Sequence, residues 1–375
     1  MPFNADIIII GAGVIGLAVA AEVARENRTV YILERNAGFG RETSSRNSGV
    51  IHTGVLSRAG SLNAHLCIAG KSLIYQLCRE YSIDHRRTGK ILVACDLEDI
   101  AALETIYQHK DEGILMEYIS KQKLQKLEPA VRGEAALLLP EAGVVDAHAL
   151  MSCYLGLAAC KGAQLICRTE VTGISQSGEG YEIQVREPDG TSNLQAGIVI
   201  NCAGFNSDKV AAVAGIDIAQ EHLQISYFKG EYYSICSAKA RRINQRLVYP
   251  TLRPGGLVGI HTVLDVDGRV RLGPDFYQVD KIDYAIDDSR RSIFCKGAQR
   301  LFPFVEIDDI EPESTGIMPR LYATNEPFVE FYIRHEYEKG LPGFINLVGI
   351  ESPGLTASPA IAKYVGRIVE NILKS

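Results

Sequence analysis

The stretch Asp6-Ile7-Ile8-Ile9-Ile10-Gly11-Ala12-Gly13-Val14-Ile15-Gly16, followed by Glu34 at the end of a second apolar run, decides how this sequence is read. It describes a strand, a tight glycine turn and a helix start, then a second strand ending in an acid. Gly11 permits the turn, Gly13 lets the backbone approach a pyrophosphate, and Gly16 lets the helix pack on the strand. The amides around Ala12, Val14 and Ile15 stand at the positive end of the helix dipole, where an anion is held. Glu34 closes Thr29-Val30-Tyr31-Ile32-Leu33 at the spacing of an acid that accepts from a ribose hydroxyl. A glycine turn alone is a weak sign. With both strands and the acid it predicts a dinucleotide-binding unit.

The 375 residues suffice for two domains, or one two-lobed body, with a large core. A net charge of −6 and a pI near 5.8 argue against a nucleic-acid binder, which carries a basic surplus. The short basic groups Arg86-Arg87 and Arg241-Arg242 read as solvated surface or loop. Nine cysteines include no Cys-x-x-Cys pair and mostly sit in apolar runs, as small buried hydrophobes do. Their odd number and the missing secretion signal predict a reducing, cytoplasmic setting. The apolar segment from Ile7 to Ala21 follows an acid, holds three glycines and falls short of the ~20 residues that span a bilayer. It reads as a buried strand and helix, with peripheral membrane contact left open.

No repeat or linker divides the chain, and the pattern predicts a discontinuous α/β architecture. Helices are expected at Ser61 to Tyr81, Leu97 to Lys110, Lys121 to Leu127, Ala147 to Gly162 with Asp146 as cap, and Thr356 to Leu373. Strands are expected at Lys90 to Cys95, Met116 to Ile119, Gln164 to Ile174, Tyr181 to Arg186 and Leu194 to Asn201. The last runs into Cys202-Ala203-Gly204, and a buried strand closing on small residues delivers backbone to a bound cofactor. From Leu223 to Asp275 strands dominate: Gln224 to Tyr233, Leu247 to Tyr249, Leu257 to His261 and Arg269 to Gly273. The last pair forms a hairpin through Asp265-Val266-Asp267-Gly268. A further strand is expected at Phe344 to Val348. The nucleotide lobe is thus visited three times, at 1–85, 142–220 and 322–375. The segments 86–141 and 221–321 form an inserted α+β substrate lobe with a largely antiparallel sheet.

Further landmarks carry a resemblance. They are Asn47-Ser48-Gly49-Val50-Ile51-His52-Thr53-Gly54, Gly60-Ser61-Leu62, Leu66-Cys67, Lys229-Gly230-Glu231-Tyr232-Tyr233, Val248-Tyr249-Pro250, Gly259-Ile260-His261 and Leu272-Gly273-Pro274. Over essentially its whole length the chain resembles the D-amino-acid-oxidase-like superfamily of FAD-dependent oxidoreductases, most of all its L-2-hydroxyglutarate dehydrogenase/oxidase group. The resemblance implies a Rossmann-like lobe that binds FAD rather than NAD. It implies oxidation of a 2-hydroxy acid, with L-2-hydroxyglutarate the leading candidate, to the 2-oxo acid. It also implies a small anionic substrate and an electron acceptor, whether oxygen, a quinone or a carrier protein. An amine or amino-acid oxidase of the glycine/D-amino-acid oxidase type and a non-catalytic flavin-binding subunit stay open as alternatives. Two segments depart from the pattern. Gly316-Ile317-Met318-Pro319 has Met318 where the superfamily often has a carboxylate-gripping arginine, and Arg320 follows two positions later. Gly349-Ile350-Glu351-Ser352-Pro353-Gly354-Leu355-Thr356 differs from the Asn-Ala-Pro-Ser-Pro-like segment of the hydroxyglutarate group.

The polar stretch from Arg41 to Gly49 is dense in hydroxyls and amides. Arg35, Thr43, Ser44, Ser45, Asn47, Ser48, Gly49 and Val50 are read as FAD contacts, as are Ala203, Gly204 and Ile317. The resemblance implies that the backbone of Val171 lies at the adenine. Ser352, Gly354, Leu355 and Thr356 precede the final helix, whose positive end stabilises charge on a reduced flavin; ordinary capping by Ser352 or Thr356 is the structural alternative. Taking a hydroxyl proton while hydride leaves calls for a base titrating near neutrality, so His52 and His261 are the candidate bases. Arg320, Lys229 and Tyr249 are candidates for holding an anionic substrate. The other six histidines read as surface or structural groups. No His/Cys/Asp/Glu spacing suggests a metal, and no Ser–His–Asp motif occurs.

Overall fold

The strand Ala5–Ile10, buried at every position except Asp6, lies between two parallel neighbours, Val30–Glu34 and Gly190–Asn201. The structure is a computed structural model that describes residues 4–109, 113–236, 238–243, 246–252, 259–321 and 330–374. The parallel strand Gln164–Cys167 extends the sheet beyond Val30–Glu34. Beyond Gly190–Asn201 comes Phe344–Val348, edged antiparallel by Tyr332–His335. The central strands are continuous Ile/Val/Leu runs because neither face meets water. Helix Val14–Val23 is apolar nearly all round because it is wedged between the helices Ala147–Ala159 and Gly354–Ile372. Asp146 caps the first of these, accepting from the amides of His148 and Ala149.

The single strand expected from Gln164 to Ile174 is two. Gln164–Cys167 belongs to the parallel layer, whereas Glu170–Ser177 pairs antiparallel with Gly180–Glu187. Arg168 between them sits at φ +57, and the amides of Arg168 and Thr169 donate to the carbonyls of Asn36 and Glu34. One left-handed residue turns the chain out of the sheet, which a run of strand-forming residues conceals.

A second body holds two four-stranded sheets. In one, Lys90–Ala94 pairs antiparallel with Ala135–Leu139 and parallel with Leu247–Pro250, and Glu117–Ser120 forms an edge. The other is antiparallel, in the order His261–Leu264, Val270–Val279, Ile225–Ile235 and Ile310–Leu321. Thr262 Oγ1 accepts the amide of Val248 at 2.7 Å and ties the two sheets together. Residues 257–258 of the strand expected at Leu257 to His261 lie outside the described residues, and the described strand begins only at His261. Ile310–Leu321 is a strand the sequence reading lacks. Pro312 and Pro319 argue against one, but it is a sheet edge paired on a single side, where a missing N–H is tolerated. Helix Leu97–Tyr107 ends earlier than expected; Lys110 lies outside the described residues.

One apolar core gathers residues from 7–83, 145–163, 198–202 and 331–369, and another gathers Val50 with residues from 91–144 and 233–310. All nine cysteines are free thiols. No described helix is long and apolar enough to cross a membrane.

Candidate active site

A long cavity runs from Glu34 and Asn36 past Gly11, Gly13, Val14, Ile15 and Ser44 to Cys202, Ala203, Gly204 and the segment from Ile350 to Leu355. Gly11 adopts φ +102, and a Cβ on Gly16 would lie 2.0 Å from the Gly11 carbonyl oxygen, so the turn and the helix entry both require glycine. Glu34 fixes this turn as well as lining the cavity. One carboxylate oxygen accepts the Ala12 amide at 2.9 Å, and the other accepts the backbone and side-chain N–H groups of Asn36, each at 2.8 Å. The Val14 amide, expected to face an anion, is instead bonded to Ser44 Oγ at 2.9 Å. Ser44 keeps its own O–H to offer to a ligand.

The polar loop divides its labour. Asn47 donates to the Ser44 carbonyl at 2.7 Å and accepts the Gly49 amide at 2.8 Å, so it shapes the loop while lining the cavity with Ser48 and Val50. Thr43 donates to the carbonyl of Ile317 at 3.3 Å, joining the loop to the Ile310–Leu321 strand. Several expected contacts do not line the cavity. Ser45 turns back to the Glu42 carbonyl, Arg35 is paired with Glu42, and Val171 packs beneath the sheet. Ala12, Gly16, Gly49 and Thr356 also lie outside the cavity lining. Neither Ser352 nor Thr356 caps the final helix, which begins after Pro353 with no side-chain cap.

At the far end three sheets converge. His52 follows the short strand Val50–Ile51, Lys90 opens Lys90–Ala94, Tyr249 lies on the adjacent Leu247–Pro250, and His261 opens a strand of the antiparallel sheet. All four line the cavity. Lys90 Nζ is 3.2 Å from His52 Nδ1 and 4.0 Å from the centre of the Tyr249 ring. His261 stacks on Tyr249 with centroids 3.7 Å apart, and its Nδ1 lies 2.8 Å from the Gly259 carbonyl. Burial, reinforced by the Lys90 charge, holds His52 well below the usual imidazole range. Burial likewise takes His261 down to about 3, against the opposing bond to Gly259. The hydroxyls of Thr53 and Tyr249 are buried here without a hydrogen-bond partner among the described residues.

Arg320 and Glu351 face each other on another part of the wall at 3.5 Å, and burial pushes the Glu351 carboxyl up to about 7 despite that arginine. Lys229 does not line the cavity. Its ammonium donates to the Ala285 carbonyl and lies 3.5 Å from Glu231, whereas its neighbours Gly230 and Tyr232 line the cavity. Strand alternation sends residues 229 and 230 to opposite faces. The sequence reading missed Lys90 and Glu351. An ionisable residue opening the apolar run Lys90-Ile91-Leu92-Val93-Ala94 was the available signal, because such a group is buried with the strand and must serve a partner. Among the described residues no metal-holding group of His, Cys, Asp and Glu is gathered.

The comparisons with known proteins agree with this geometry. The family model DAO, "FAD dependent oxidoreductase", matches residues 6–368. The chain is 32% identical to mitochondrial L-2-hydroxyglutarate dehydrogenase of Arabidopsis thaliana, covering 96% of this chain and 82% of that protein. It is 26% identical to glycerol 3-phosphate dehydrogenase of Caloramator mitchellensis, covering 98% and 74%. The solved structure of L-alpha-glycerophosphate oxidase from Mycoplasma pneumoniae with FAD bound superposes with a TM-score of 0.84 at 26% identity, covering 98% of this chain and 94% of that one. The chain belongs to the DAO family of FAD-dependent oxidoreductases. It is an FAD-dependent enzyme, and the cavity lined by the glycine turn, Ser44, the Asn47 loop and the segment opening the final helix offers the amides and hydroxyls that such a cofactor would need.

Proposed function

We propose that this oxidoreductase converts a 2-hydroxy acid to the 2-oxo acid, with L-2-hydroxyglutarate the leading substrate. The observation that carries this reading is the pair of imidazoles, half-buried His52 and buried His261, both held toward the uncharged form and lining one cavity beside Lys90. An alcohol holds its proton at neutral pH, so its oxidation needs a group to accept that proton. Bound FAD supplies the acceptor for the hydride. Lys90 offers charge to one carboxylate, and Arg320 offers it to the second carboxylate of a dicarboxylate. Residues 1–85, 142–220 and 322–375 form the FAD lobe in this reading, and 86–141 and 221–321 the substrate lobe; within the third segment, 322–329 and 375 lie outside the described residues. The electrons then pass to oxygen, a quinone or a carrier protein.

One feature favours the amine-oxidase alternative: Glu351 in the wall is a carboxyl that an ammonium would seek. Its pairing with Arg320 and its neutrality up to about pH 7 work against that. Anaerobic mixing of the FAD-loaded protein with hydroxy acids, glycerol 3-phosphate and amino acids decides the matter. Bleaching by L-2-hydroxyglutarate is expected; bleaching by amino acids alone overturns the reading. Bleaching by none without a partner protein points to a flavin-binding subunit.

A further inference from the structure

We propose, building on the hydroxy-acid reading, that the two histidines hold opposite roles: Lys90 binds the substrate carboxylate and fixes His52 as a hydrogen-bond donor, while His261 alone accepts the hydroxyl proton. Lys90 is 1% exposed, and among the described residues no carboxylate lies within ion-pair distance of its ammonium. A buried cation without a counter-ion is unfavourable until an anion arrives, and this one lines the substrate cavity. The Tyr249 face beneath it helps to keep it charged.

The tautomers follow from which groups can donate. With a substrate carboxylate holding Lys90 as the ammonium, which only donates, His52 Nδ1, 3.2 Å from Lys90 Nζ, accepts, and the ring proton sits on Nε2. A carbonyl only accepts, so His261 Nδ1, 2.8 Å from the Gly259 oxygen, carries the proton and leaves Nε2 as the free acceptor. Stacking on Tyr249 at an interplanar angle of 27° fixes the His261 ring. His52 therefore presents N–H to the substrate oxygen, and His261 presents a lone pair. In the reaction the substrate O–H bond breaks and its proton forms an N–H bond at His261 Nε2, giving the imidazolium. The C2 hydrogen leaves with its electron pair to the FAD that the family chemistry supplies as oxidant, and the C2–O bond becomes a carbonyl.

The titrating groups around this point act together. Burial draws Lys90 down to about 7, and the lysine charge in turn lowers both histidines. Cys67 faces the lysine, and burial keeps its thiol protonated. Tyr249 also keeps its proton because of burial. Elsewhere on the cavity wall are Glu351 and Arg320. A substrate carboxylate beside Lys90 restores the ammonium and, by adding negative charge, raises the proton affinity of His261 when the proton must move.

The test uses the FAD-loaded protein with Lys90→Met, Lys90→Arg, His52→Gln and His261→Gln. The readouts are the dissociation constant of 2-oxoglutarate, from its perturbation of flavin absorbance, and the anaerobic reduction rate with the best hydroxy acid. Lys90→Met is expected to weaken 2-oxoglutarate about tenfold or more, about 1.4 kcal/mol, with Lys90→Arg restoring most of it. His261→Gln is expected to bind within about threefold of the unmodified protein yet reduce its flavin about 10²–10⁴-fold more slowly, with the acid limb of the rate–pH profile lost. His52→Gln, which retains an N–H donor, should lose less than about tenfold in rate. Unchanged 2-oxoglutarate affinity in Lys90→Met, or an equal loss of rate in His52→Gln and His261→Gln, overturns the assignment. If no hydroxy acid reduces the unmodified protein, the functional reading has failed instead. Lys90→Met must then still weaken whichever carboxylate substrate does reduce it, and unchanged binding refutes the lysine's role.

Discussion

The Thr356 hydroxyl accepts the backbone N–H of His52 at 3.0 Å and donates to the carbonyl of Val50 at 3.1 Å, so the final helix grips the strand end that carries His52. Thr356 is fully buried, and replacing it with Val keeps the shape while orphaning two backbone groups. The expected cost is about 1–3 kcal/mol, read as a lower urea midpoint of the apoprotein, with Thr356→Ser recovering most of it. An unchanged midpoint in the valine variant would show that water replaces the hydroxyl.

Ser44 joins the glycine turn to the polar loop by accepting the Val14 amide, while Ser45 one position on bonds only its own loop. Ser44→Ala should therefore weaken FAD binding about tenfold by removing a cap-like bond and a donor toward the cofactor, whereas Ser45→Ala should change it little. Titration of apoprotein with FAD, followed by quenching of flavin fluorescence, separates the two. Equal affinities would remove Ser44 from the cofactor cradle.

Glu351 is raised from 4.5 to about 7 by burial, so the folded state favours its protonated form. Its contribution to stability is complete below pH 4.5 and is lost as pH rises through about 7. Glu351→Gln should thus gain stability over the unmodified protein at pH 8 relative to pH 5, seen by urea denaturation at both values. Above pH 7 the same carboxylate adds negative charge to the cavity. Affinity for 2-oxoglutarate should fall there in the unmodified protein and stay flatter in the variant.

The exposed Arg168 holds a left-handed backbone at φ +57, and its amide bond to Asn36 does not depend on its side chain. Arg168→Gly should leave the turn intact and stabilise the protein by about 0.5–1 kcal/mol, because glycine adopts this conformation without steric cost. A destabilised variant would mean that the loss of chain entropy outweighs that relief.

These particulars show where sequence patterns speak and where they are silent. The strand–turn–helix unit around Gly11 is legible because its glycines and apolar run lie together in the chain and Glu34 closes the next strand, whereas Ser44 and Cys202 reach the turn from farther along. His52 and His261 could be singled out by their flanking segments, and both line the cavity. Their different hydrogen-bond partners could not be read, because Lys90 reaches His52 only through the meeting of two sheets. Lys229, expected at the cavity, turns away from it for the opposite reason. Its segment does border the cavity, but the one-residue alternation that turns it away depends on which face of Ile225–Ile235 is inward. The Ile310–Leu321 strand was hidden by prolines that only an edge position permits.

Phe344–Val348 completes the parallel sheet beside Gly190–Asn201, and the cavity wall takes in the segment from Ile350 to Leu355. A ribosome making this protein therefore releases the glycine turn long before it releases the wall that closes around the cofactor. Until then the inner edge of Gly190–Asn201 is an unpaired template for any passing strand. The cavity therefore gains its last wall, Ile350 to Leu355, only when the C-terminal strand and helix have docked beside Gly190–Asn201.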